Sequence, residues 1–240
     1  MRLKFILCTF WVCASYHAQA QNYNHFAVWT RLALQKNIYK NFEVNVEYHF
    51  RRQNDYRDTP ANPFALPLLE AYRLGIVHRG QNITVSLFNS FFHSYPLYAK
   101  TSDFNRKDRW EFRPFLMTEW IHSLSPKWLV RLRGGYEYRL FKNDDNEWNE
   151  SQGRARLRGQ IRYIFNPKNN LFLSEELLQN VPPNVPANSF SQNQLYLGYS
   201  HNFSPHFTLE TGYMWNHRQR SSLIEFDEEH SIQTHFIVRL

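Results

Sequence analysis

A chain of 240 residues with formal net charge +7, 17% aromatic residues and a mean hydropathy of −0.60 is too polar overall for a bundle of membrane helices. Its two cysteines, Cys8 and Cys13, both lie near the N-terminus, which excludes a disulfide scaffold or a thiolate metal centre for the rest of the chain. A basic balance can signal a nucleic-acid partner, but here the arginines occupy alternate positions within strand-like segments and form no exposed cluster.

The first 20 residues read as an export signal. Arg2 and Lys4 precede an apolar run from Phe5 to Ala14, and Ala18-Gln19-Ala20 forms a small-x-small cleavage site. Cleavage would leave residues 21–240 as one domain of 220 residues (240 − 20) with net charge +5 (28 − 2 basic, 21 acidic). No later stretch reaches the ~18 uninterrupted apolar residues of a membrane-spanning helix.

From there the dominant signal has period two, which places alternate side chains on opposite faces of a strand. Strands are expected at 25–35, 42–51, 69–78, 83–94, 109–122, 128–141, 153–165, 171–179, 190–201, 207–217 and 229–240. In the second, Phe42, Val44, Val46, Tyr48 and Phe50 oppose Glu43, Asn45, Glu47, His49 and Arg51. The fifth sets Trp110, Phe112, Leu116 and Trp120 against Glu111, Arg113 and Glu119. The sixth and seventh alternate most cleanly, with Arg131, Arg133, Glu137 and Arg139 on one arm and Arg154, Arg156, Arg158 and Arg162 on the other. In the tenth, Phe207, Leu209, Tyr213 and Trp215 oppose Thr208, Glu210 and Asn216. The phases of the third, fourth and eighth are not legible.

Short turns alternate with long polar connections. Three turns share a motif, Ser125-Pro126-Lys127, Asn166-Pro167-Lys168 and Ser204-Pro205-His206, in which Pro presets the backbone and the preceding side chain can bond it locally. Long connections are expected at 53–67, 95–108, 142–152, 180–189 and 217–228. Strands of about ten residues, aromatic residues at the stripe ends, short turns at one rim and long loops at the other predict a closed antiparallel transmembrane β-barrel of 10–12 strands. The turns would be periplasmic and the loops extracellular. Eleven strands would start the first at the loop rim, so either a parallel seam closes the barrel or the count is off by one.

Several short motifs resemble an uncharacterised outer-membrane family, domain of unknown function 2490. They are Trp29-Thr30, the run Glu47 to Arg51, Glu111-x-Arg113, Arg154-x-Arg156, Glu175-Glu176 with Asn180, Gln192-Asn193 before Gly198-Tyr199, and Leu209-Glu210-x-Gly212-Tyr213. Gln194 stands where that family tends to have Arg. The resemblance implies an outer-membrane barrel and carries no activity.

The inward charges expected are Glu43, Glu47, Arg51, Arg73, Glu111, Arg113, Glu119, Arg131, Arg133, Glu137, Arg139, Arg154, Arg156, Arg158, Arg162 and Glu210, joined by Arg31 and Arg239. Guanidinium groups pair bidentately with carboxylates and stay charged, so the first expectation is an ion-pair network filling a plugged or narrow lumen, with a structural or binding role. The alternative is a narrow pore whose arginine excess favours small anions. Arg154, Arg156 and Arg158 lie ~7 Å apart along one strand, so carboxylates or a bound anion must separate them.

A more distant alternative is a lipid-modifying enzyme, for which Asn89-Ser90 and His93-Ser94 are the one local grouping. Asn89 and His93 share a face, whereas adjacent Ser and His point oppositely. The histidines are too scattered for a metal site, and no cofactor motif is present. Asp144, Asp145 and Glu147, and again Asp227, Glu228 and Glu229, read as solvated charge on external loops, with a divalent ion shared with lipopolysaccharide as the alternative. Expected partners are outer-membrane lipid and lipopolysaccharide and small anions, with no nucleic acid.

Overall fold

The computed structural model describes residues 21–142 and 147–240; the expected signal segment and Asp144 and Asp145 fall outside them. Eleven strands form one closed sheet: β1 (Gln21–Tyr39), β2 (Phe42–Gln53), β3 (Leu66–Arg79), β4 (Ile83–Ser94), β5 (Arg109–Ser125), β6 (Trp128–Lys142), β7 (Trp148–Asn166), β8 (Asn169–Val181), β9 (Phe190–Ser204), β10 (Phe207–Gln219) and β11 (Glu225–Arg239). Each pairs antiparallel with its chain neighbour. The exception is the seam, where β1 and β11 run parallel in unbroken register from Gln21↔Glu225 to Gln35↔Arg239. An up-and-down path with an odd number of strands leaves its first and last strands pointing the same way, so closure requires this parallel pair.

Two long connections are shorter than the sequence suggests. β7 begins at Trp148 and β11 at Glu225, because both strands continue their ladders beyond the apolar stripe into polar residues above it. The three Pro turns close as their chemistry requires. Ser125 Oγ accepts from the N–H groups of Lys127 and Trp128 (3.3 and 3.2 Å), and Asn166 Oδ1 from those of Lys168 and Asn169 (2.9 and 3.0 Å). Ser204 Oγ does the same for His206 and Phe207.

Burial is inverted relative to a water-soluble protein. Leu32, Tyr72, Leu74, Leu116, Leu157 and Ile232 are exposed on the outside, while Glu47, Glu111, Arg113, Glu137, Arg154 and Glu176 are buried within. Apolar side chains left outside in a continuous band suit a hydrocarbon surround. Trp120 and Trp128 stand toward the short-turn rim and Trp110 at the other, all substantially exposed.

The strands of illegible phase are those whose inner faces also carry apolar side chains. Gly75, Val77, Phe88, Phe92, Phe115 and Met117 face inward on β3 to β5, and Phe172 and Leu178 on β8. An apolar residue on such a strand therefore does not mark the lipid side. The Phe88 ring lies flat on Gly75, and Phe172 on Gly198, where an added Cβ would enter the ring.

Gly75→Ala should therefore destabilise the barrel by roughly 1–3 kcal/mol through overpacking. Gly134→Ala, whose added Cβ meets nothing within 4 Å, should stay within about 0.5 kcal/mol of wild type. Denaturant unfolding of the two variants in lipid vesicles checks the contrast.

Candidate functional site

The site is the barrel interior. A cavity of about 660 Å³ runs along it, its wall reaching from Gln35, Arg79 and Arg239 near the short-turn rim to Ser94, Gln192 and Arg218 near the loop rim. Fourteen arginines line it against five glutamates, Glu47, Glu111, Glu119, Glu176 and Glu210.

Alternation on β5 to β8 delivers the central charges, and the register decides who meets whom. Glu137 lies opposite Arg154 in the β6–β7 ladder and is fully buried. It accepts from Arg154 Nε (2.7 Å) and Arg156 Nη1 (2.6 Å), with Arg113 Nη1 at 3.6 Å. Glu111 takes bidentate bonds from Arg113 (2.6 and 2.9 Å) and from Arg139 (2.8 and 3.0 Å). Glu176 binds Arg156 (3.0 and 2.8 Å) and Arg133 (3.0 Å).

The repulsion along Arg154, Arg156 and Arg158 is thus relieved by carboxylates from neighbouring strands. Nearer the short-turn rim Glu119 meets Arg158 (3.0 Å) and Arg131 (3.5 Å), and Arg162 reaches Glu210 across the lumen (3.3 Å). Glu43 does not line the cavity; it is buried against Arg79 at the rim (2.9 Å). Arg239 donates to Thr208 Oγ1 (2.8 Å).

Glu47 is saturated by others: Oε1 accepts from Arg31 Nη2 (2.5 Å) and Asn45 Nδ2 (3.1 Å), and Oε2 pairs with His49 Nε2 (2.8 Å). Arg73 comes no nearer to it than 3.6 Å. Arg51 has no carboxylate at ion-pair distance among the described residues; its guanidinium lies on the Trp29 ring, 3.3 Å from the centroid.

Residues 26–226 match a family described as Protein of unknown function (DUF2490). The chain belongs to that family. Among solved structures it is similar to a NanC porin, at 10% identity and TM-score 0.51 over 89% of this chain and 97% of the porin. A weaker likeness, TM-score 0.39 at 13% identity, is to an anion-selective porin from Comamonas acidovorans; it covers 82% of this chain and 53% of that one, about half its length. At these identities the NanC likeness is one of fold. No curated protein sequence matches the chain.

Several residues of this DUF2490 barrel sit elsewhere than the sequence suggests. Asp227, Glu228 and Glu229 are not in a solvated loop: all three lie in β11 and are buried. Asp227 meets Arg220, Glu228 accepts from Trp215 Nε1 (2.6 Å) and pairs with His217, and Glu229 pairs with His25 across the seam (3.2 Å). Glu176, central to the network, is not legible in the sequence, because Phe172 and Leu178 on the same inner face of β8 obscure its phase. Glu175 points outward to Asn193.

On β4, Asn89, at the outer face, stands apart from Ser90, which is fully buried inside. His93 pairs with Asp108 and stacks on Trp110 (4.3 Å, 4°), so Asn89-Ser90 and His93-Ser94 do not converge on one reacting centre.

The β4–β5 connection is pinned over the loop rim beside the seam. Leu97 and Ala99 pack on Ala27 and Leu68, and a short 3-10 turn, Thr101–Asn105, presents Asp103 to Arg220 (2.8 and 3.0 Å). Lys100 pairs with Glu225. Burial alone would raise the Asp103 carboxyl, but hydrogen bonds from Arg220 and the Ala99 N–H, with the Arg220 and Arg106 charges, outweigh it and hold it below the usual aspartate range.

A lowered carboxyl contributes stability that is complete above its unfolded value, ~3.9, and is lost as pH falls through the lower folded one. Amide exchange across residues 97–105 should therefore show equal protection at pH 7 and pH 5, and Asp103→Asn should lower protection at both. Glu137→Gln should cost on the order of 3–5 kcal/mol, because it leaves Arg154 and Arg156 buried without their shared counter-charge. Urea titration of the vesicle-folded protein reads that loss.

Proposed function

We propose that this protein is an integral outer-membrane barrel whose narrow lumen binds and passes small anions. The observation that carries this reading is the wall: fourteen arginines to five glutamates along a cavity that extends between the rims. Such an excess lowers the electrostatic cost of an anion in a narrow, low-dielectric passage and raises it for a cation. Outer-membrane location is supported by the export signal read at residues 1–20, by the apolar band with aromatic residues at both rims, and by the porin-like fold. In that placement the short turns are periplasmic and the loops extracellular, in contact with lipopolysaccharide.

A second reading, a closed barrel with a structural or binding role, is favoured by the pinned β4–β5 connection and by the many arginines already neutralised by glutamate. Conductance separates the two. In a planar bilayer under a KCl gradient the passage should conduct, with a reversal potential of the sign for chloride preference. Arg51→Glu with Arg73→Glu, at two positions where no carboxylate accepts a hydrogen bond, should diminish or reverse that preference. A heat-modifiable, folded barrel that never conducts would overturn the passage in favour of the closed form.

A further inference from the structure

We infer that Arg51 and Arg73 form a defined subsite for the carboxylate group of a small organic anion, part-way along the lumen toward the loop rim. The inference rests on the anion-binding reading above and names where and how an anion is held.

Most cavity arginines owe their place to glutamates: Arg113, Arg139, Arg154 and Arg156 each donate hydrogen bonds to one or more of Glu111, Glu137 and Glu176. Arg51 and Arg73 are held differently, through their faces. The Arg51 guanidinium stacks on Trp29 at 3.3 Å from the ring centroid, and Arg73 lies between Phe92 (5.4 Å) and Phe115 (5.3 Å). A guanidinium's N–H groups all lie in its plane, so stacking fixes the cation while its donor edge stays available.

For both residues the buried Nε has no hydrogen-bond partner. Neither guanidinium donates a hydrogen bond to any acceptor among the described residues, and Glu47, nearest to Arg73, already serves Arg31, Asn45 and His49. Glu229 attracts Arg51 without reaching it and is engaged with His25. Arg51 and Arg73 stand on adjacent strands, four positions apart in one ladder, Arg51 facing Leu69 and Arg73 facing Glu47, and both line the cavity.

Two guanidinium groups of like charge on adjacent strands, set against aromatic rings and donating to no acceptor among the described residues, are an arrangement that an oxyanion reaching both completes. It would take up in-plane donors and offset the like charges. A carboxylate matches the planar fork better than a spherical halide does.

The test uses the intact barrel in detergent micelles, where binding requires no through-passage. Isothermal titration with succinate at constant ionic strength should give saturable binding to wild type, and sodium chloride none. Arg51→Gln and Arg73→Gln should each weaken succinate binding about tenfold or more. Arg131→Gln, which removes the same charge from the wall nearer the short-turn rim, should change it less than twofold. Arg51→Lys keeps the charge and removes the fork, so it too should bind weakly, and it guards against a folding defect in the amide variant.

Absence of saturable binding overturns the subsite, as does an equal loss in all three glutamine variants or wild-type affinity in Arg51→Lys. Inorganic phosphate binding with higher affinity than succinate would overturn the carboxylate assignment. A barrel that conducts chloride yet fails these titrations keeps the passage and loses the subsite. One that binds succinate without conducting keeps the subsite and loses the passage.

Discussion

Hydrocarbon offers a backbone no hydrogen-bond partner, so a sheet that crosses it must have no free edge. Everything distinctive in this molecule answers to that constraint. With eleven strands the closing pair has to be parallel, and β1 and β11 satisfy it over a long unbroken register. Parallel ladders are slightly weaker per residue than antiparallel ones. At this seam side chains add cross-links, with His25 meeting Glu229 and Tyr23 meeting Glu225.

Closure also decides the fate of the charges. Once the apolar stripe of each strand faces out, the alternate residues have only the enclosed space to occupy. Arginine tolerates confinement of this kind because each guanidinium can satisfy a carboxylate bidentately and still reach another. The central run from Arg139 through Glu111, Arg113, Glu137 and Arg156 to Glu176 and Arg133 crosses four strands in this way. It stiffens one side of the wall. Beside it, on β4 and β5, the wall carries stacked rings, Phe88 on Phe115 at 5.1 Å and 8°, with Arg73 near them. The wall therefore offers arginine two kinds of contact: carboxylates along the central run, and ring faces such as Trp29, Phe92 and Phe115.

The loop rim adds a separate layer. The β4–β5 connection docks over the seam side through an apolar contact and an ion pair deep enough to shift the Asp103 carboxyl. Docked against the same strands that close the sheet, this connection couples the seam to one side of the mouth.

Much of this was written in the alternation itself. Period two with one greasy face sets strand, barrel and inward charge, because a strand's side chains have only two directions to point. The clean arms of β6 and β7, with Glu47 and Glu111 besides, set their charges on one strand face, and the Ser-Pro and Asn-Pro turns announced their own bonds. The sequence also carried the seam as a parity problem. It could not say which arginine meets which glutamate, since register between strands is a tertiary fact: Arg133 faces Arg158 in the ladder, yet they pair with Glu176 and Glu119 instead.

Nor could it place Glu176, or the inward apolar residues of β3, β4 and β8, because such residues are admitted on the inner wall of a closed barrel and the two faces then look alike. Asp227, Glu228 and Glu229 read as solvated loop because consecutive acids usually are; only the extension of β11 above the apolar band, with Arg220, His217 and His25 positioned to receive them, made them buried. Local pattern determined which way each clean strand faces. The closed ladder alone determined what each face meets, and among the described residues left Arg51 with no carboxylate at ion-pair distance and Arg73 with only Glu47, at 3.6 Å.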